Sequence, residues 1–544
     1  MSNTDCNLEQ DYQSLIDNPA PIADDDPRYE EIFRDLQGGI IKSYGRNYYL
    51  YIFISFSQDV ENVKQWIRSK IAPSVTSTSR QFEDTKVYKQ NIQDEKRYLE
   101  SSVEETYLGE LFEKTYPGKL CKNFFLSANG YKHLGFDIEK PEIDPSFSMG
   151  TKGWWETYYK VYNAPYSPKY WDIGGDKDEI HALILLAHNN LEQLKNEAAF
   201  LIEEIEHLEI GNIVACEVGY KLRNQHDQVV GPFGFVDDFS QPLFLKSDYE
   251  RYCSQQGTDK WDPKASLSLI LVKDPFVGEP YSFGSYCVWQ KLETNYKRFK
   301  KLENELAETL ECDQERAAAL VVGRFRDGTP IALYSKEHNQ EQIENNFDYD
   351  DDQKGAKCPL HAHIRKVNPR GDQSTIKNDL SPDIEARKKH RIVRAGVTYF
   401  DDSKAQPTSA SKISQMCLKK LEHLKEVRQR SITDNVESIS GLLFVCFQRK
   451  IVTQFQKLQL DWADNDKFPR EFSVNKPKYL DPVIGYHITE TNQDGSDPQE
   501  WPKKWNENED ICQEDSRPYF FYDCVRNKGG EFFFSPSISF LKKL

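Results

Sequence analysis

Strand-like and helix-like segments alternate in both halves of the chain, and this repetition is the strongest constraint on its fold. Residues 48–56 are aromatic and β-branched and predict a strand. The apolar residues that follow, from Val60 to Ile71, recur at helical spacing. A second buried strand is predicted at 179–188, and it leads into a helix from about residue 190 to residue 206.

The second half of the chain repeats this plan. Residues 284–289 predict a strand, followed by a helix with the apolar residues Leu292, Tyr296, Phe299, Leu302, Leu306 and Leu310. Residues 441–447 predict another strand, followed by a helix with the apolar residues Ile451, Phe455, Leu458 and Trp462. Two such rounds predict two related α+β domains, each a split βαβ unit with an antiparallel sheet.

Composition narrows the class of partner. The 544 residues carry a formal net charge of −17, which argues against nucleic acid or an anionic membrane as the main partner. The N-terminal residues have neither a basic nor an apolar signal region, and the longest apolar runs are too short to span a bilayer. The eleven cysteines show no CxxC spacing. We therefore expect reduced thiols in a cytoplasmic protein.

Two histidines one residue apart, His361 and His363, are the first candidates for chemistry. Neutral imidazole is the commonest protein ligand for a transition metal or a haem iron. On an extended segment the two side chains would point to the same face. That arrangement suits a zinc or iron pair, and it equally suits one working histidine beside a bystander.

Two further segments carry charge among apolar residues. The Gly- and Pro-rich loop 231–242 holds Asp237 and Asp238 among phenylalanines, where burial can perturb a carboxyl pKa. Arg394 enters an apolar, strand-like run at 391–399, and a buried arginine needs an anion or a polar ligand. Singly, each feature has an ordinary structural explanation. Together, a neutral ligand, an acid and a fixed cation are what a haem peroxidase requires.

These motifs resemble those of the dye-decolorizing peroxidases, in the larger class with cyanobacterial and fungal members. Residues 363–370 match the proximal motif, 234–238 the distal GxxDG motif, and 392–396 the distal arginine motif. Supporting segments lie at 35–45, 284–293, 323–330, 441–455, 481–485 and 529–536, so the resemblance runs from about residue 33 to the C-terminus.

The resemblance implies roles for individual residues. His363 is expected to be the proximal iron ligand, with His361 outside the ligand position. Asp237 is expected to be the distal acid/base and Arg394 the distal cation. The remaining expected cofactor contacts are Phe239, Ser240 and Gln241 at the haem edge, and Arg365 and Arg370 at the propionates, although a surface role for both arginines is as well supported.

Two departures from the family pattern bear on activity. Asp238 replaces the closing glycine of the GxxDG motif, and aspartate tolerates left-handed backbone better than most residues. The region where relatives often carry an acceptor for the proximal histidine holds the neutral Gln456 here, with Asp461 nearby. A neutral acceptor would donate less charge to the ligand.

The resemblance further implies an α+β fold of two ferredoxin-like domains with antiparallel sheets packed as a dimeric α+β barrel. We expect a polar N-terminal arm at 1–30, an N-terminal domain at 31–260 that ends with the distal Asp loop, and a C-terminal haem-binding domain at 261–544. One haem b per chain would use hydrogen peroxide to oxidise dyes, phenolics and small aromatic reductants through an oxoferryl intermediate, and an oligomer is possible. The alternatives are a haem-binding or haem-sensing protein with weak turnover, and a zinc protein using His361 and His363.

Overall fold

The computed structural model describes residues 3–99, 118–159, 167–176, 179–237, 239–338, 343–371, 387–401, 410–428, 436–469, 480–486, 499–505 and 516–544. The strands are β1 Tyr48–Phe56, β2 Cys121–Ser127, β3 Ala182–His188, β4 Gly211–Tyr220, β5 Val272–Lys273, β6 Phe283–Thr294, β7 Val393–Arg394, β8 Val397–Tyr399, β9 Gly441–Gln448, β10 Gln499–Pro502, β11 Ser516–Tyr519 and β12 Val525–Ser535. The helices are α1 Asn3–Asp17, α2 Glu30–Asp35, α3 Val60–Trp66, α4 Ala72–Ser74, α5 Thr78–Leu99, α6 Ala128–His133, α7 Pro145–Tyr159, α8 Leu191–His207, α9 Lys246–Gln256, α10 Tyr296–Leu310, α11 Gln314–Val322, α12 His363–Val367, α13 Ala410–Arg428 and α14 Ile538–Lys543.

Eight strands close into a ring through antiparallel pairing alone. The first half contributes the order β2-β3-β1-β4, and the second half contributes β8-β9-β6-β12. The halves meet where β4 pairs with β8 and where β12 pairs with β2, and the pairing of β9 with β6 completes the circuit. Numbered within each half, both orders read 2-3-1-4, so the expected pair of ferredoxin-like units is confirmed in the topology. The boundary at residue 260 stays a prediction.

Strand alternation sorts side chains between two cores. On β1, Leu50, Ile52 and Ile54 pack in a cluster that includes the helices α3, α8 and α13. Tyr49, Tyr51 and Phe53 point the other way, into a cluster shared by strands of both halves. Successive side chains on a strand face opposite sides of the sheet, so the ring has an inner core and an outer, helix-covered core.

The sequence placed most elements within a few residues, with three differences. Leu292 belongs to β6 and not to the helix after it, because the strand runs on to Thr294. The segment after β9 ends in a π-helix at Lys457–Ala463, where an α-helix was expected. The N-terminal arm is not loose, since it forms α1 and buries Ile16 and Ile22 in the inner core.

A disulfide bond links the two halves. Cys216 on β4 and Cys417 on α13 form a disulfide, with their Cα atoms 5.6 Å apart. The expectation that all the cysteines are reduced is therefore wrong. The cytoplasmic location, which rested on that expectation, stays a prediction. Within the described ranges, no helix combines the length and the apolar character needed to cross a bilayer.

Candidate active site

A cavity of about 330 Å³ lies on the outer face of the second-half sheet. Outward-facing residues of β6 and β9, such as Leu292 and Phe444, form its floor. The loop 229–242, the end of α11, the start of α12 and the segment 483–486 surround it. The size and the mainly apolar lining with a few convergent polar groups are typical of a small-molecule or cofactor site.

His363 is one polar feature of this cavity, and with its neighbour Asp481, which lies outside the lining, it forms the proximal pair. His363 is the first residue of α12 and lines the cavity. Its Nδ1 lies 2.9 Å from Asp481 Oδ2. Burial alone would raise the pKa of Asp481, but His363 and the backbone N–H groups of Val483 and Ile484 lower it below its ordinary value. Asp481 is therefore a buried anion that orients the imidazole and leaves Nε2 as the nitrogen for a metal.

The close approach of α11 to α12 brings His363 to the cavity. Gly323 ends α11 with φ of 101°, a conformation in which glycine is strongly favoured. A Cβ at this position would already lie 3.4 Å from the Cβ of Ile364. The glycine therefore serves both the turn and the packing beneath the histidine.

Asp237 and Arg394, the distal pair, form the second polar feature. Arg394 Nη1 donates to Asp237 Oδ1 at 3.2 Å, and Nη2 donates to the carbonyl of Phe239 at 2.9 Å. Arg394 belongs to β7, and Gln241 both accepts from its N–H at 3.1 Å and donates to its carbonyl at 3.0 Å. The Asp237 N–H donates to the carbonyl of Val229 at 2.8 Å. Backbone contacts thus fix both partners of this ion pair.

The loop that carries Asp237 has an unusual backbone. Phe233 and Ser240 both have φ of 65° although neither is glycine, and surrounding contacts must hold such conformations. Phe233 stacks on Phe299 with ring centroids 4.1 Å apart. Ser240 Oγ donates to Asn345 Oδ1 at 2.6 Å. Asp238, which replaces the family glycine, lies outside the described residues.

Curated relatives and solved structures point to the same family. A scan against protein-family models finds no match. The chain is 32% identical over 520 residues to the multifunctional dye peroxidase DyP2 of an Amycolatopsis species, covering 94% of this chain and 95% of that protein. It is 25% identical to the dye-decolorizing peroxidase msp1 of Mycetinis scorodonius, over 93% of this chain and 86% of the relative. The solved DyP-type peroxidase of Anabaena sp. has a TM-score of 0.76 and 34% identity, and the match covers 97% of this chain and 99% of that one.

The chain belongs to the dye-decolorizing peroxidase family. It is a haem-dependent peroxidase that acts on hydrogen peroxide, and its cofactor is haem b, one per chain. The donor set fits this cofactor, because a buried carboxylate orients one imidazole in an otherwise mainly apolar cavity. Haem has two apolar faces, and the lining residues Leu292, Phe444 and Phe455 suit them.

In this dye-decolorizing peroxidase, the hydrogen-bond partner of His363 differs from the one expected for a proximal histidine. Gln456 accepts hydrogen bonds from Ser146 Oγ and Trp154 Nε1, and Asp461 pairs with Lys457. The expectation of a neutral acceptor is therefore wrong, since Asp481 occupies that role in the structure. The sequence did contain a signal, because Asp481 opens the family-like segment 481–485.

Arg365 and Arg370 stand apart from the cavity of this peroxidase. Both side chains are about 1% exposed, so the surface alternative is wrong for both. Arg365 pairs with Asp352 at 2.9 Å, and Arg370 donates to Ser240 Oγ at 3.0 Å. Neither arginine is among the cavity-lining residues. Phe239, Ser240 and Gln241, by contrast, all line the cavity as the resemblance implied.

His361 does not share a face with His363, because the segment is a turn leading into α12 and not an extended strand. It is fully buried, with its ring 4.3 Å from that of Trp501. Burial and Lys366 lower the pKa of His361 to about 3, which keeps the ring neutral. Across the described ranges, no group of three or more His, Cys, Asp and Glu side chains is placed to hold a metal ion. The zinc alternative therefore has no ligand set in this part of the chain.

Proposed function

We propose that Asp237 and Arg394 activate hydrogen peroxide in this cavity while His363 holds the haem iron from the proximal side. The observation that carries the proposal is that His363, Asp237 and Arg394 line one cavity, while the buried Asp481 lies next to Nδ1 of the histidine. Haem iron supplies the redox centre when it is bound, and the protein supplies a ligand, a base and a cation.

Asp237 is the base in this scheme. As a carboxylate beside Arg394, it accepts a proton from hydrogen peroxide and returns it to the oxygen that leaves as water. Its side chain is 42% exposed, so peroxide and water can reach it. A positioned acid/base of this kind contributes on the order of 10²- to 10⁴-fold to a rate.

Arg394 is the electrostatic partner. Its guanidinium carries a permanent charge and two hydrogen bonds fix it, so it can stabilise negative charge that develops on the leaving oxygen without reorganising.

The electron donors are bulky organic molecules such as dyes and phenolics. The relatives that carry this inference are named as dye peroxidases, and one of them as multifunctional. Small aromatic reductants belong to the same class and are expected to react as well.

The test is a visible spectrum of the purified holoprotein with and without peroxide, followed by bleaching of an anthraquinone dye. We expect a Soret band that changes on addition of peroxide, and dye bleaching that requires peroxide. A Soret band without bleaching would favour the haem-sensing alternative. Purified protein that takes up no haem when haem is supplied would overturn the proposal.

A further inference from the structure

Arg324 is a buried cation on the cavity lining, and the roles assigned above do not use it. Only 2% of the residue is exposed, and it lines the same cavity as His363 and Asp237. Its Nη1 donates to the carbonyls of Gly328 at 2.7 Å and Glu344 at 2.8 Å. Its Nε is buried and has no hydrogen-bond partner among the described residues.

Among the described residues, no carboxylate compensates the charge of Arg324. Its Nη2 donates to Asn345 Oδ1 at 2.9 Å, and Arg370 Nη2 donates to the same oxygen at 2.6 Å. Two guanidinium groups therefore converge on one neutral amide, and within the described ranges neither forms an ion pair with a carboxylate. Burial and the charge of Arg370 lower the pKa of Arg324 to about 9.

Two other buried arginines have carboxylate partners among the described residues. Arg365 pairs with Asp352, and Arg46 pairs with Asp84. Burying a charge without a partner carries a large free-energy cost. An anion that arrives with a ligand would remove that cost and would also satisfy the Nε–H.

We propose that Arg324 binds a carboxylate of the cofactor, one propionate of haem b, through its free Nε–H edge. The proposal rests on the proposed function for the presence of haem. The propionates are the anionic groups at the haem edge. The ring centroids of Phe239 and Phe347 lie 4.5 and 5.0 Å from the guanidinium carbon of Arg324, and its Nε is the donor that lacks a partner among the described residues. Arg370 acts through Asn345 as a positioning residue.

Arg391 lines the same cavity and serves as the control for Arg324. Its Nε donates to the carbonyl of Lys388 at 3.1 Å and its Nη2 to the carbonyl of Lys264 at 2.9 Å. These carbonyls already occupy donors on its terminal edge, so Arg391 is not expected to recognise a propionate.

The experiment titrates apoprotein with haem and with haem dimethyl ester, whose propionates carry no charge. Quenching of tryptophan fluorescence gives both affinities. The parent should prefer haem over the diester by about 10- to 100-fold, as expected for a charge-assisted hydrogen bond. Arg324→Met should reduce this preference to within about threefold while leaving the affinity for the diester unchanged, and Arg391→Met should keep the parental preference.

The same titration separates the two hypotheses. A parent that binds neither porphyrin overturns the proposed function and this inference with it. A parent that binds both, combined with an Arg324→Met variant that keeps the parental preference, overturns only the role of Arg324. If only Arg391→Met loses the preference for haem over the diester, Arg391 is the residue that contacts the carboxylate. That result would also overturn the role proposed for Arg324.

Thermal unfolding of the apoproteins excludes a purely structural role. Removing an uncompensated cation should leave the apoprotein of Arg324→Met at least as stable as the parent, and only the haem-bound form should lose stability. An apoprotein that melts earlier, with the preference for haem intact, contradicts the proposal. If Arg324→Met does not fold, Arg324→Lys keeps the charge but removes Nε, and it should lower the preference for haem by at least threefold.

Discussion

His363 and the distal pair line the same cavity, and Asp481 is buried beside the histidine, but the chain holds the two pairs in different ways. Asp481 is fully buried and His363 is 26% exposed, whereas Asp237 and Arg394 are 42% and 37% exposed. The proximal pair belongs to a helix start and a turn fixed by backbone N–H groups. The distal pair is carried by a loop with positive-φ residues and by a two-residue strand. The proximal pair is therefore the more buried of the two, and the distal pair is accessible to solvent.

Replacing His363 should have the largest effect, because it removes the proposed ligand on the proximal side. His363→Ala removes the proposed axial ligand, so we expect loss of the Soret band of the parent and a fall in peroxidase activity of more than about 1000-fold. The control is His361→Gln, which should keep the parental spectrum. An unchanged haem spectrum in His363→Ala would sink the assignment of the ligand.

Replacing Asp237 should slow the reaction with peroxide while leaving haem binding intact. Asp237→Asn keeps the shape but cannot accept the proton, so the rate of reaction with peroxide should fall by about 10²- to 10⁴-fold. Stopped-flow absorbance at the Soret band measures that rate. Haem content should match the parent, and a parental rate with full haem content would show that Asp237 is not the base.

Neutralising Asp481 should weaken the proximal side without abolishing it. Asp481→Asn retains a hydrogen bond to His363 Nδ1 but removes the negative charge, and loss of such a partner typically costs 10- to 100-fold in activity or metal affinity. The haem reduction potential should rise, because the imidazole donates less charge to iron. A potential equal to that of the parent would indicate that the charge of Asp481 does not reach the metal.

The proximal pair also predicts a dependence of stability on pH. The pKa of Asp481 is lower in the folded protein than in the unfolded chain. Its contribution to the free energy of unfolding is therefore present above the unfolded pKa, about 3.9, and disappears as the pH falls through the lower, folded value. Urea unfolding gives the free energy of unfolding at pH 3 and at pH 6. Its change between the two pH values should be smaller for Asp481→Asn than for the parent. An equal change in both proteins would refute the linkage.

The smallest effect is expected at Gln241, which touches Arg394 only through the backbone. Gln241→Ala removes two hydrogen bonds worth about 1 kcal/mol each, so the distal cation should be less well fixed. We expect the rate of reaction with peroxide to fall severalfold, with the proximal spectrum unchanged. A loss as large as that of Asp237→Asn would mean that Gln241 does more than orient its neighbour.

The sequence predicted local features better than distant partnerships. Strand β1 and the helix α8 follow from periodicity. The family-like motifs pointed to His363, Asp237 and Arg394, and the structure brings these three residues to one cavity, while their roles stay predictions. Asp481 was missed as the histidine's partner because 118 residues separate the two, and no local pattern encodes that contact. Arg370 was expected at the cofactor because it shares a motif with His363, yet its side chain turns toward Asn345.

The other differences between prediction and structure depend on strand pairing and burial. Leu292 fits a helical spacing, but its position in β6 depends on pairing with β9 and β12, which only the assembled barrel provides. Arg324 looks like any charged residue in the sequence. Its possible role becomes visible only when burial, the unsatisfied Nε and the lack of a described carboxylate partner are seen together.

The disulfide between Cys216 and Cys417 has a consequence for the covalent topology of the site. Asp237, His363 and Arg394 all lie on the loop of chain that this bond closes, whereas Asp481 lies beyond it. A single proteolytic cut inside the loop leaves both pieces covalently joined until a reductant is added. A cut between Cys417 and Asp481 instead leaves the proximal acceptor held by packing alone. The proposed iron ligand and its hydrogen-bond partner thus belong to parts of the chain that a protease can separate.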